Sequence, residues 1–191
     1  METHAIYDQL AALLEYPGAD YLERVVRCTQ ALGETQPEAA VLLAGFEEQV
    51  GDLSTEDLQA LFTSTFDLDP VCTLEVGWHL FGEQYERGVF LVKMRQQLRR
   101  FALAESTELP DHLTHVLAVL GRMEAEEAGE FAAACVHPAL DKMRAGLGGK
   151  SNPFENVLEA IARVLESRHA RAAEENHPAA PMLRVLDARG L

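Results

Sequence analysis

The sequence is poor in cysteine, has a single tryptophan and contains no long apolar run. Cys28, Cys72 and Cys135 are odd in number and far apart. That spacing fits no disulfide framework and points to a reducing, cytoplasmic setting. Without a run of about 18 apolar residues, no membrane span is expected. The opening METHAIYDQLAALLEYPGAD has no basic n-region and carries Glu2, Asp8 and Glu15, so it does not read as a secretory signal.

Positive charge is scarce as well. Sixteen Lys and Arg face 31 Asp and Glu, a net charge of −15. Nucleic acid demands a basic face and is excluded as a partner. The scarcity is sharpest in residues 1–70, where only Arg24 and Arg27 oppose fourteen acids. Two explanations stand: a solvated, solubilising face, or attraction for a basic partner.

Strand patterns are also missing, because alternating β-branched runs between turn signals do not occur. What is present is helical periodicity. Ile6, Leu10, Leu13 and Leu14 share one face, and YPG at 16–18 ends that helix. Further helices are expected over 20–32, from Pro37 to about Val50, and after Ser54, with Asp57 three residues on as a weak capping box. Others are expected over 85–104, from Pro110, through EFAAACVHPALDKM with a break at Pro138, and after Phe154. GLGGKSNP (146–153) is the clearest loop. The expectation is an all-α, single-domain bundle of about eight or nine helices over residues 1–170. Residues 171–191 would be a tail, flexible or docked as an arm.

Tests for chemistry return little. There is no G-x-S-x-G elbow, and each cysteine sits in an apolar helical pattern, so no catalytic residue is assigned. His112 and His115 form H-x-x-H, and Cys72 and His79 are seven apart, but neither pair has the partners a helical metal site needs. No metal ligand is assigned. GLGGKS lacks the preceding strand of a phosphate loop, and its first glycine position is Arg144. The bases of the 85–104 helix scatter around it and suit salt bridges to acidic neighbours.

The least ordinary residues gather in FDLDPVCTLEVGWHLFGEQYERG (66–88), which holds Trp78. Pro70 turns Asp69 away from helical geometry, and Gly77, Gly82 and Gly88 permit close backbone approach. Trp78, Phe81 and Tyr85 either wall a groove for a basic amphipathic peptide or fill the core at a tight corner.

F-D-L-D-P, H-L-F-G-E-x-x-x-R-G and E-L-P-D-H-L, all within residues 58–120, resemble the signature region of NarJ-type chaperones in the NarJ/TorD group of redox-enzyme maturation proteins. Glu108, Asp111 and His112 match that group's E-x-x-D-H element. The resemblance implies an all-helical, non-enzymatic cytoplasmic chaperone. Its partner would be the apo catalytic subunit of a dimethyl sulfoxide reductase superfamily molybdoenzyme, nitrate reductase or a related dehydrogenase, bound through a basic N-terminal peptide. The chaperone would keep no cofactor stably. The client carries bis-molybdopterin guanine dinucleotide and iron–sulfur clusters. A homodimer formed by exchanging helices across 146–153 is left open.

In that reading Phe66, Leu68, Trp78, Phe81 and Tyr85 supply apolar wall, and Asp67, Asp69, Glu83 and Glu86 supply charge. Pro70, Gly82, Arg87, Gly88 and Pro110 fix the helix junction. Glu108, Asp111 and His112 do capping and hinge work or touch the peptide or cofactor directly. The alternatives are a small helical metal protein or enzyme, or a permanent subunit of a redox complex.

Overall fold

Helix-start chemistry sets the frame. In the computed structural model, which describes residues 3–169, Ser54 Oγ accepts the Asp57 amide at 3.1 Å while its hydroxyl donates to the Asp57 carboxylate at 2.8 Å. This reciprocal cap opens α4 (Thr55–Phe62). Pro37 opens α3 (Pro37–Val50), where its missing N–H costs nothing. Before these come α1 (Thr3–Ala12) and α2 (Tyr21–Leu32). After them come α5 (Val76–Phe81), α6 (Tyr85–Arg100), α7 (Leu113–Leu120), α8 (Ala125–Phe131), α9 (His137–Leu147) and α10 (Phe154–Arg168). π-helical turns extend α4 over Thr63–Asp67 and join α8 to α9 over Ala132–Val136. Since α8 and α9 run on through that turn, the described residues form nine continuous helical rods and no strand. The all-α expectation holds. The tail expected at 171–191 lies outside the described residues.

Boundaries differ from the periodic pattern where local chemistry intervenes. α1 stops at Ala12, and Leu13 and Leu14 continue in tight turns that donate to the Leu10 and Ala11 carbonyls. α6 ends at Arg100 rather than Ala104, because Ala102 takes a left-handed φ of 53°. α7 begins at Leu113 rather than Pro110, capped by the His112 side chain. Pro138 does not break its helix. It stands in the first turn of α9, behind the wider π turn, where a proline needs no amide partner.

The helices pack in a closed series around the core, with α10 against α9. α3 packs against α2 and α10, α1 against α7 and α2, and α5 against α6 and α9. Phe154 at the start of α10 is the hub, with ring centroids 5.1 Å from Phe46, 5.6 Å from Phe62 and 5.0 Å from Phe66. Burying each of these rings contributes about 2 kcal/mol. The junction after α4 is therefore held by the core and not by the short helices around it. Cys28, Cys72 and Cys135 are free and buried, and burial raises each thiol pKa to about 12. They behave as small apolar side chains.

Candidate functional site

The stretch from Phe66 to Gly88 shapes two recesses through one chain of contacts. The π turn rotates Phe66 into the core against Phe62 and Phe154 and leaves Asp67 and Leu68 outside, Leu68 being 73% exposed. Asp69 then accepts the Val71 amide at 3.1 Å and pairs with Lys150 at 2.8 Å, which pins the Pro70 turn to the 146–153 loop. Those bonds hold the Asp69 carboxyl below the usual range. Gly146 in α9 is a close-approach glycine, since a Cβ there would lie 2.7 Å from the Val71 carbonyl oxygen.

Trp78, on the short helix α5, is half-buried. Its indole N–H donates to the Pro70 carbonyl at 3.1 Å, and the Arg87 guanidinium stands 5.4 Å from its ring centroid. The ring lines an open, mainly apolar furrow of about 730 Å³, together with Pro70, Val71, Leu80, Phe81 and, across from them, Lys142 and Gly146. Lys142 Nζ is held at 2.5 Å by the His79 carbonyl, and His79 Nε2 meets the Thr73 carbonyl at 2.7 Å. Gly82 closes α5 with φ 58° and donates to the Trp78 carbonyl, a backbone shape that favours glycine.

The second recess lies between α1, the end of α4 and residues 104–118, and holds about 670 Å³. Leu14, Tyr16 and Phe62 give it an apolar floor, and Asp8, Glu15, Asp67 and Glu108 line it with carboxylates. Asp8 is held by Arg122 through paired bonds of 2.7 and 2.9 Å, and Glu15 by Arg24 at 2.8 Å. Asp67 and Glu108 have no ion-pair partner among the described residues. His115 fixes the rim. Its Nδ1–H donates to the Leu109 carbonyl at 2.9 Å, and its Nε2 accepts the Ser106 amide at 3.2 Å.

Asp111 and His112 join the two recesses. Asp111 is fully buried and does not begin its own helix. Its Oδ2 accepts the Gly77 amide at 3.1 Å, its carbonyl accepts the Val76 amide at 2.9 Å, and Arg87 Nε lies 3.7 Å away. It thus caps α5, 34 residues earlier in the chain. Burial outweighs Arg87 and raises its pKa. Gly77 is obligatory beside it, for a Cβ there would sit 2.6 Å from Asp111 Oδ2 and 3.0 Å from Phe90. A single antiparallel bridge, Glu75 to His112, completes the joint. His112, 7% exposed, caps α7: its Nδ1 accepts the Thr114 amide at 3.4 Å and meets the Thr114 hydroxyl at 2.8 Å. Burial, helped by His115, lowers its pKa to about 4.

The structure thus divides what the sequence reading had placed in one groove. Trp78 and Phe81 line the furrow with Pro70 and Gly82, and Asp67 lines the carboxylate cleft with Glu108 and His112. Phe66 is core and lines neither recess. Leu68, Glu83, Glu86 and Tyr85, the last 84% exposed, line neither recess. Asp69 is occupied by Lys150. Gly88 has open space where a Cβ would stand, so it makes no close approach. Pro110 is buried in the turn before α7. Asp8, Glu15, Tyr16, Ser106 and His115 are cleft residues that periodicity could not single out, because they come together only when α1 packs on α7. No His, Cys, Asp and Glu cluster fit for a metal occurs among the described residues, and no described helix is long and apolar enough to cross a membrane.

Comparison with known proteins gives these recesses a family. Two curated relatives, both described as nitrate reductase molybdenum cofactor assembly chaperone NarJ, come from Escherichia coli strain K12 and Escherichia coli O157:H7. Each is 30% identical over 125 residues, covering 63% of this chain and 53% of its own. The chain therefore spans about half the length of the curated relatives it matches. A family model described as nitrate reductase delta subunit matches residues 29–158, which takes in α3 to α9, the furrow and most of the cleft. With more than half of its length matched, this chain belongs to the nitrate reductase delta subunit family.

Proposed function

We propose that the protein is an assembly chaperone for a nitrate-reductase-type molybdoenzyme, not an enzyme itself. It binds the basic N-terminal peptide of the apo catalytic subunit and holds that subunit while molybdenum cofactor and iron–sulfur clusters are inserted. The observation that carries this reading is the half-buried Trp78 on an open apolar furrow, inside the stretch that the family match covers. An apolar trough of this kind takes one face of a short helix. The chain's net charge of −15 favours encounter with a cationic segment. Binding is non-covalent, and ordering of the peptide reduces the affinity below what its contact area suggests. The client brings the cofactors, and none of the residues named here has to hold one.

Calorimetry with the N-terminal peptide of a nitrate-reductase-type catalytic subunit tests the reading. Saturable binding that weakens with salt and falls at least tenfold in Trp78→Ala is expected. Failure of every such peptide to bind removes it. The family description as a delta subunit favours one other reading, a permanent subunit of the enzyme. Co-purification with the mature, cofactor-loaded enzyme rather than with the apo form would establish that instead.

A further inference from the structure

We propose that residues 69–73, which carry the Pro70 wall of the Trp78 furrow, are a hinged strap latched to the bundle by Lys150. With the latch made, the strap lies on α9 and the furrow has both walls. With the latch parted, the strap lifts and the furrow loses one. The motion stands on geometry, and its consequence for binding rests on the peptide reading above.

The strap has firm ends and a loose middle. On one side the Leu68 amide donates to the Thr63 carbonyl at 3.0 Å, closing the π turn that Phe66 roots in the core. On the other, the Leu74 carbonyl accepts the Leu113 amide at 2.8 Å. Between them, among the described residues, the backbone-to-backbone bonding of 69–73 is internal, from the Cys72 amide to the Asp69 carbonyl at 3.0 Å. The middle is tied to its neighbours through side chains. Lys150 holds Asp69, the Trp78 indole holds the Pro70 carbonyl, the His79 ring meets the Thr73 carbonyl, and the Cys72 thiol donates weakly to the Met143 carbonyl at 3.6 Å. A segment held this way opens at a lower cost than the bundle around it.

Lys150 is aimed at the strap. Gly149 and Ser151 flank it with left-handed φ angles of 76° and 51°, so the loop bends sharply on both sides of the lysine. A side chain such as that of Ser151 keeps this shape only where its surroundings fix it. Here Asn152 clamps the loop to the π turn, donating from Nδ2 to Thr65 Oγ1 at 2.8 Å while its Oδ1 accepts the Phe154 amide. Lys150 then reaches Asp69 across an ion pair whose side chains are 51% and 31% exposed, which salt and solvent weaken. Beneath the strap, Gly146 lets the Val71 backbone lie against α9, and Cys72 is sealed from solvent.

Cys72 reports the motion. Cys28, Cys72 and Cys135 are all buried free thiols with pKa raised to about 12, so an alkylating reagent reaches each only through an opening of the fold. The test treats the folded full chain with N-ethylmaleimide and follows each cysteine by peptide mass spectrometry. Cys72 should react at least tenfold faster than Cys28 or Cys135. Lys150→Gln should speed Cys72 about threefold and leave the other two unchanged, whereas Lys150→Arg, which keeps the pair, should hold the wild-type rate. Added salt should speed Cys72 in the wild type and not in Lys150→Gln. One common rate for the three cysteines, or a Cys72 rate indifferent to Lys150→Gln, overturns the proposal. The N-terminal peptide of a nitrate-reductase-type catalytic subunit forms the second arm. At about ten times its dissociation constant it should slow Cys72 about tenfold, because it binds the furrow with both walls in place. A bound peptide that leaves Cys72 as fast as before overturns the link between strap and furrow. If the peptide binds while Cys72 reacts no faster than the other cysteines, the chaperone reading stands and the strap falls. If Cys72 behaves as expected but no such peptide binds, the strap stands and the chaperone reading falls.

Discussion

The furrow beside Trp78 and the cleft beside His112 are similar in size, about 730 and 670 Å³, and differ in almost everything else. The furrow is open, apolar and built from a short helix and a turn, with its polar atoms satisfied by backbone. The cleft is lined by carboxylates from α1, the turn after it, the π turn and the segment before α7. Its polar groups are only half satisfied, and the unsatisfied half faces outward. The contrast shows that an apolar surface and an excess of one charge, though adjacent in sequence, need not build one site. The chain divides them at Leu68 and Asp69, where the π turn ends.

The comparison breaks first at its common support. Phe154→Ala removes the ring that packs on Phe46, Phe62 and Phe66, and lowers stability by about 3–5 kcal/mol in a thermal melt. Because α4 and its π turn border the cleft and run directly into the Pro70 turn that lines the furrow, the Trp78 fluorescence and the His112 resonance lose their native signatures together.

Acid acts on the cleft side. Folded His112 has a pKa near 4, while the unfolded chain protonates the ring below about 6.5. The unfolded state therefore binds more protons as pH falls through that window, and stability drops by about 3 kcal/mol between pH 6.5 and 4. His79 and His169, also lowered by burial, add in the same direction, and the raised Asp111 opposes them at the acid end. His112→Asn keeps an N-cap and removes the titration. Its melting temperature should fall less steeply than the wild type's from pH 6.5 to 4, and an unchanged slope would show that this ring is not the sensitive group.

The joint between the regions comes next. Gly77→Ala forces a methyl against Asp111 and Phe90 and costs about 1–3 kcal/mol by denaturant titration. The loss should be accompanied by a changed Trp78 environment, and unaltered indole emission would uncouple the two recesses. Trp78→Ala follows at about 1–2 kcal/mol, since the ring is half-exposed and loses one hydrogen bond and the Arg87 contact. Asp67→Asn, exposed and unpaired, should change stability by less than about 0.5 kcal/mol.

Much of the fold could be read from the chain because the helix signals are local. Pro37, the Ser54 cap and the 146–153 loop each depend on residues a few positions apart. What escaped reading depends on contacts across the chain or on backbone widening. The π turn that buries Phe66 has no signature in periodicity. Pro138 reads as a breaker until the turn before it is seen. Asp111 reads as the start of its own helix, because an acid near a helix N-terminus is ordinary, and nothing local reveals its bond to Gly77. Trp78, by contrast, was legible as unusual from its company of glycines and proline. Which of its neighbours share its recess was not, since that depends on α9 bringing Lys142 and Gly146 opposite.

Asp111 and His112 are consecutive, so their α-carbons are about 3.8 Å apart across a rigid planar amide. One anchors the helix bearing the indole and the other lines the carboxylate-bearing hollow. So short a lever has no slack. A substitution that displaces the imidazole displaces with it the carboxylate that anchors the indole's helix.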